Sequence, residues 1–138
     1  HRDDFRRTDL VIARYGETEP IARIKYAKNG WDFIPNTSSV CFIKSREPDE
    51  NGSYLNDIFR YELITGEETR LTRSARVYDL ACSPDGSQLA CIRYEAGAYS
   101  IETFSLNTKQ FTTVKPGVLG QPFLSLSLLL VIFYLIFR

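Results

Sequence analysis

A unit of roughly 45 residues occurs twice in this chain, and the later copy is the clearer. It opens with the apolar run Val77–Cys82 and turns at Ser83-Pro84-Asp85-Gly86. That turn has a mechanism at each position. Proline presets φ, aspartate bonds the local backbone, and glycine takes a positive φ. A second apolar run, Gln88–Tyr94, follows. The alternating segment Tyr99–Leu106 comes next, then a turn at Asn107-Thr108-Lys109 and a closing segment Gln110–Val114. Each segment has the length and composition of a strand, so the unit reads as four short strands running up and down.

The same order stands upstream. Trp31-Asp32-Phe33-Ile34 aligns with Tyr78-Asp79-Leu80-Ala81, and Pro35-Asn36-Thr37 occupies the place of Pro84-Asp85-Gly86. Ser39–Ile43 aligns with Gln88–Ile92, Ile58–Leu63 with Ile101–Leu106, and Glu67–Leu71 with Gln110–Val114. The first copy turns at Thr65-Gly66-Glu67 and carries a longer loop, Ser45–Asn56. Asp9–Ile21 resembles Phe59–Leu71, with Gly16 on Gly66, and reads as the outer half of a preceding unit. Another unit would begin at Gly120–Ser125.

Burial explains why such a unit must repeat. A four-stranded sheet with apolar residues on both faces cannot cover either face alone, so neighbours must stack on both sides. Leu89-Ala90-Cys91-Ile92 is continuous rather than alternating, as a doubly covered strand requires. The pattern predicts an all-β chain: a β-propeller fragment with two complete four-stranded antiparallel blades and partial flanking blades. The competing architecture is a β-sandwich or small barrel. Residues 1–117 would hold the blades (a partial one at 9–25, whole ones at 31–72 and 77–114). Residues 118–138 would form an apolar tail, helical in one reading.

Tyr78 to Ile92, with Ser83-Pro84-Asp85-Gly86 at its centre, resembles the blade repeat of TolB-like propellers. A WD-like repeat of this kind also occurs in the propellers of prolyl-oligopeptidase-type and dipeptidyl-peptidase-type serine peptidases. Ile58 to Thr72 is similar to the closing half of that repeat. The resemblance covers about residues 9–116 and implies a fold more than a function. Two departures stand out. Ile34-Pro35-Asn36-Thr37 replaces Ser-Pro-Asp-Gly in the first copy, and Asn107-Thr108-Lys109 lacks the turn glycine in the second.

Composition excludes several classes. Seventeen Lys+Arg balance seventeen Asp+Glu, so the chain lacks the basic excess of a nucleic-acid binder. His1 is the only histidine, and a Ser-His-Asp or Cys-His site needs an interior imidazole. Nucleophile elbow, P-loop and dinucleotide motif are all missing. The sequence therefore predicts no enzyme, no cofactor and no metal within these residues. Cys41, Cys82 and Cys91 each sit in an apolar run without metal-ligand spacing, and read as buried thiols, with a pair among them left open.

The ends raise separate expectations. The chain starts at His1 and has no Met, which suggests a processed protein or a piece of a larger one. A closed propeller needs about four to eight blades, so the remaining blades of a parent protein are the first expected partner. Phe123–Phe137 carries no charge. As a helix it would span about 22 Å, short of a hydrocarbon core of roughly 30 Å. A membrane helix, an aberrant end and a buried strand pair all stay open, as does the compartment, with membrane-associated or extracytoplasmic placement among the options.

Several positions are candidates for function. Asp32 and Asp79 lie on the innermost strands, where they could line a central channel. Alternatively, each bonds neighbouring backbone or an adjacent blade. The long loop could contact a partner through Arg46 and Tyr54, or be merely solvated. Arg70, Arg73 and Arg76 read as a solvated strand end, and Ser83, Pro84, Asp85 and Gly86 as the repeat turn. The expected role is a non-enzymatic scaffold for protein–protein contacts within a larger protein. The alternatives are the gating propeller of a serine peptidase whose catalytic domain lies elsewhere, and a small membrane-anchored protein.

Overall fold

A computed structural model describes residues 9–45, 50–52 and 55–119. Ten strands follow in chain order: β1 (Asp9–Ala13), β2 (Pro20–Lys25), β3 (Ala27–Phe33), β4 (Ser39–Lys44) and β5 (Asp57–Glu62), then β6 (Glu68–Arg70), β7 (Val77–Cys82), β8 (Gln88–Glu95), β9 (Ala98–Ser105) and β10 (Phe111–Leu119). No helix occurs among the described residues. The strands form three antiparallel sheets: the pair β1-β2, then β3-β4-β5-β6, then β7-β8-β9-β10. The fold is thus an all-β propeller fragment with two complete blades, preceded by an outer strand pair. Val77–Cys82 pairs with Gln88–Glu95, the hairpin the repeat requires.

Two boundaries differ from the sequence reading. β3 begins at Ala27 rather than Trp31, because the backbone pairs Ala27 with Lys44 before a bulge at Lys28–Trp31. β10 continues to Leu119, past the expected limit at 117, with Val118 opposite Tyr99. Residues 120–138, which include most of the apolar tail and the start of a further unit, lie outside the described residues. No helix of the described residues is long and apolar enough to cross a membrane.

Sequence chemistry accounts for the turns. Ser83 Oγ donates to Asp85 Oδ1 and accepts from Gln88 N–H, while Ser87 N–H and Oγ also donate to that carboxylate oxygen. These bonds hold the Asp85 pKa down to about 2. Gly86 takes φ +75°, and a Cβ there would meet the Pro35 carbonyl oxygen at 3.3 Å. The glycine therefore serves the turn conformation and also lets this turn lie against its counterpart in the previous blade. In that earlier turn the positive φ (60°) falls one residue sooner, at Asn36, which follows proline as in a type II turn.

Packing follows the repeat. Cys41, Ile43 and Ile58 of the first blade, with Ile34 from its turn, meet Val77, Leu80, Cys82, Leu89, Cys91 and Phe104 of the second. On its opposite face the first blade buries Val40, Phe42 and Phe59 against Leu10, Ile12, Ala22 and Ile24 of β1-β2. All six residues of β4 are buried, because alternate side chains enter these two interfaces. A third cluster, Ala81, Ala90, Ile92 and Ile101, lies on the far face of the second blade. The two blades approach chiefly through their first strands, β3 and β7, as wedge-shaped blades do near a propeller axis.

Candidate functional site

Three polar places could carry function: the inner edge where β3 meets β7, the crossover from β6 to β7, and a cleft between the outer strands. At the inner edge, Asp32 Oδ1 accepts from its neighbour Phe33 N–H at 2.9 Å, and Oδ2 accepts from Cys82 N–H of the next blade at 2.8 Å. Asp32 thus bridges the two blades through backbone. Asp79 accepts from Leu80 N–H at 2.9 Å and has no ion-pair partner among the described residues. Burial raises its pKa above the ordinary carboxylate value, an effect that the Leu80 bond opposes. Gly30 makes the approach possible: with φ +106°, a Cβ there would meet Ile43 Cδ1 at 2.8 Å and Asp79 Cα at 3.3 Å.

The aspartates do not occupy equivalent rungs. Asp32 lies opposite Cys41 and Asp79 opposite Ile92. Counting along the ladder from the turns, Phe33 opposite Val40 corresponds to Cys82 opposite Leu89. Trp31 opposite Phe42 then corresponds to Leu80 opposite Cys91. The likeness of Trp31-Asp32 to Tyr78-Asp79 is therefore offset by two residues. The offset arises because Asp79 stands five residues before the turn proline Pro84, whereas Asp32 stands three before Pro35; both ladders are regular over that stretch, and the bulges lie beyond it at the strand starts.

Among the described residues, a heavily bonded side chain is one the sequence did not single out. Asp57, at the start of β5, is fully buried. Its Oδ1 accepts from Thr72 Oγ1 at 2.6 Å and Ala75 N–H at 2.9 Å, and its Oδ2 from Arg70 Nη2 at 2.8 Å and Ser74 N–H at 2.9 Å. Four donors satisfy the carboxylate and fix the path from β6 to β7, where Ser74 and Arg76 adopt positive φ. Arg70 is therefore not part of a solvated strand end, because its guanidinium is held inside by Asp57 and the Thr72 carbonyl. Arg73 and Arg76 are exposed, as expected. No local motif marks Asp57, since its partners lie well downstream. The only signal is a lone aspartate where a loop enters a strand.

The cleft has a volume of about 350 Å³ and lies between β5–β6 and the β9–β10 turn, with Arg60, Glu62, Glu67 and Lys109 around it and Leu71 and Leu106 beneath. Two of its polar groups, Glu62 and Arg60, are bonded to residues behind the cleft. Glu62 accepts from Ser38, from Ser39 Oγ at 2.9 Å and from Ile64 N–H at 3.1 Å, and Arg60 Nε donates to Ser39 Oγ. These bonds, led by the Ser38 hydroxyl, lower the Glu62 pKa. Among the described residues no group of His, Cys, Asp and Glu is arranged to hold a metal. The three cysteines are free thiols buried between the blades, and desolvation pushes Cys41 and Cys82 up to about 12 and raises Cys91 as well. Arg46 and Tyr54 lie outside the described residues.

Comparison with solved structures gives a likeness in fold. The chain is similar to TolB from Acinetobacter baumannii, with a TM-score of 0.44 and 18% identity over 71% of this chain and 35% of that one. It thus spans about a third of that protein's length. No family model and no curated protein matches it.

Proposed function

We propose that these residues form a non-enzymatic propeller segment that mediates protein–protein contacts as part of a longer protein. The carrying observation is how polar chemistry is used where the blades meet. Asp32 and Asp57 close on backbone and neighbouring side chains of the fold, and Glu62 closes on serines. Such groups rigidify a scaffold, whereas a reaction centre keeps acids and bases open to substrate. Blades also bury their apolar faces against other blades, so the nearest partners are further blades of the same ring.

Reading the complete transcript on both sides of this segment tests the proposal. Further Ser-Pro-Asp-Gly units without a catalytic domain are the expected result. A downstream G-x-S-x-G elbow followed by Asp and His would overturn the non-enzymatic reading and assign the ring to a peptidase.

A further inference from the structure

The internal repeat supplies a template for a surface that is open here. On the second blade, the inner-strand positions Leu80 and Cys82 are 0% and 6% exposed, covered by β3 and β4 of the first blade. Their ladder equivalents on the first blade are Trp31 and Phe33, which are 41% and 43% exposed. These two rings meet edge to face, with centroids 5.7 Å apart, and form an aromatic patch on β3. The patch continues the interface in which Val40, Phe42 and Phe59 are buried against β1-β2. That strand pair covers the outer part of the face only.

We infer that the Trp31–Phe33 face of β3 is a docking site for a β-hairpin that packs on it as β3-β4 pack on β7. The inference rests on the propeller reading and adds a site and an occupant to it. The occupant has definite chemistry. On the second blade the covering hairpin brings the aliphatic Ile43 and the close-approaching Gly30, so a hairpin with a small residue on its first strand and a branched aliphatic on its second fits best. Phe33 N–H already donates to Asp32, so the hairpin is needed for apolar contact rather than for hydrogen bonds. Aromatic side chains suit this task, because each removes a large apolar area from water when covered.

Trp31 is the only tryptophan in the chain, which makes its fluorescence a direct reporter. The full chain can be extended by inserting a copy of residues 27–56 directly before Asp9, with Trp31→Phe in the copy. The inserted strands would then join β1 and β2 as a four-stranded blade. The expected result is a blue shift of Trp31 emission and loss of most of its quenching by acrylamide, together with added β signal in circular dichroism. A chain that gains β structure while Trp31 stays open to quencher would overturn the docking site and leave the propeller reading intact. An extension that gains no β structure would count against both.

A second variant needs no extension. Trp31→Glu combined with Phe33→Glu is expected to leave the unfolding midpoint of the original chain unchanged, because the face is open. Unfolding of that variant would show that the chain already uses the face, and would overturn the site. Shielding of Trp31 in the original chain at rising concentration, with dimers in light scattering, would overturn the hairpin as occupant, since a second copy would then fill the face.

Discussion

The junction between the two complete blades and the junction between β1-β2 and the first blade use the same positions with different results. At the complete junction, inner and outer strands both meet a neighbour, and the apolar positions of β7 are closed. At the other, only outer strands are supplied, and Trp31 and Phe33 stand open. The polar fastenings differ in the same way. Asp57 ties the β6–β7 crossover with four donors between 2.6 and 2.9 Å. Asp9, at the start of β1, holds the β2–β3 crossover through Tyr26 N–H and Arg23, both at 3.4 Å. The complete junction thus has the shorter, buried fastenings, and a hydrogen bond is electrostatically stronger in such a low-dielectric setting than in an exposed one.

The sharpest way to break the comparison is to remove each aspartate. Asp57→Ala removes the acceptor shared by Arg70 Nη2, the Thr72 hydroxyl and two backbone N–H groups in a buried site, and is expected to cost about 3–5 kcal/mol. Asp9→Ala removes an exposed pair and is expected to cost under about 1 kcal/mol. Denaturant unfolding of the two variants side by side measures the difference. Comparable losses would show that the two junctions are equally closed.

The apolar equivalents come next. Leu80→Ala opens a cavity in the closed junction and is expected to cost about 3 kcal/mol. Trp31→Ala, at the matching rung of the open junction, removes a larger side chain yet should cost under about 1 kcal/mol. Thermal midpoints followed by circular dichroism check the ordering, and a reversal would place the real core on the other side of the first blade.

The smallest effect concerns the inner edge. Burial raises the folded pKa of Asp79, so its negative charge opposes folding at neutral pH, and acid relieves the cost as the group takes up its proton. Asp79→Asn is expected to stabilise the chain near neutral pH by less than about 1 kcal/mol, since the group is half exposed to screening solvent. The gain should vanish near pH 3. Asp85 has the opposite sign. Its folded pKa is lowered to about 2, so its contribution is complete above the ordinary carboxylate pKa near 4 and is lost as pH falls through about 2. Urea unfolding of Asp79→Asn and Asp85→Asn at neutral pH and near pH 3 separates the two cases: the first variant gains stability at neutral pH only, and the second loses more there than in acid.

Much of the fold is legible in the residues because turns and strands repeat together. Ser83-Pro84-Asp85-Gly86 locates the β7–β8 hairpin, and Pro35-Asn36 locates the β3–β4 hairpin with the positive φ moved to the residue that tolerates it. The inner-edge register is less legible. Aromatic-Asp occurs in both copies, but it stands two residues farther from the turn in the second, so matching the pair by residue type sets it on different rungs of the two ladders. Asp57 escapes for another reason. Its four partners are drawn together by the crossover to the next blade, and pairing across that span is a property of the stacked sheets rather than of any local pattern.

The three thiols between the blades have a practical consequence. Cys41 belongs to one blade, and Cys82 and Cys91 to the other, all enclosed by the same apolar contact. Desolvation holds them protonated, and a protonated, enclosed thiol does not react. Any alkylation by a water-soluble reagent must then wait for the two sheets to part. The chain carries a built-in clock for blade separation, which reads how often the two blades part at this seam.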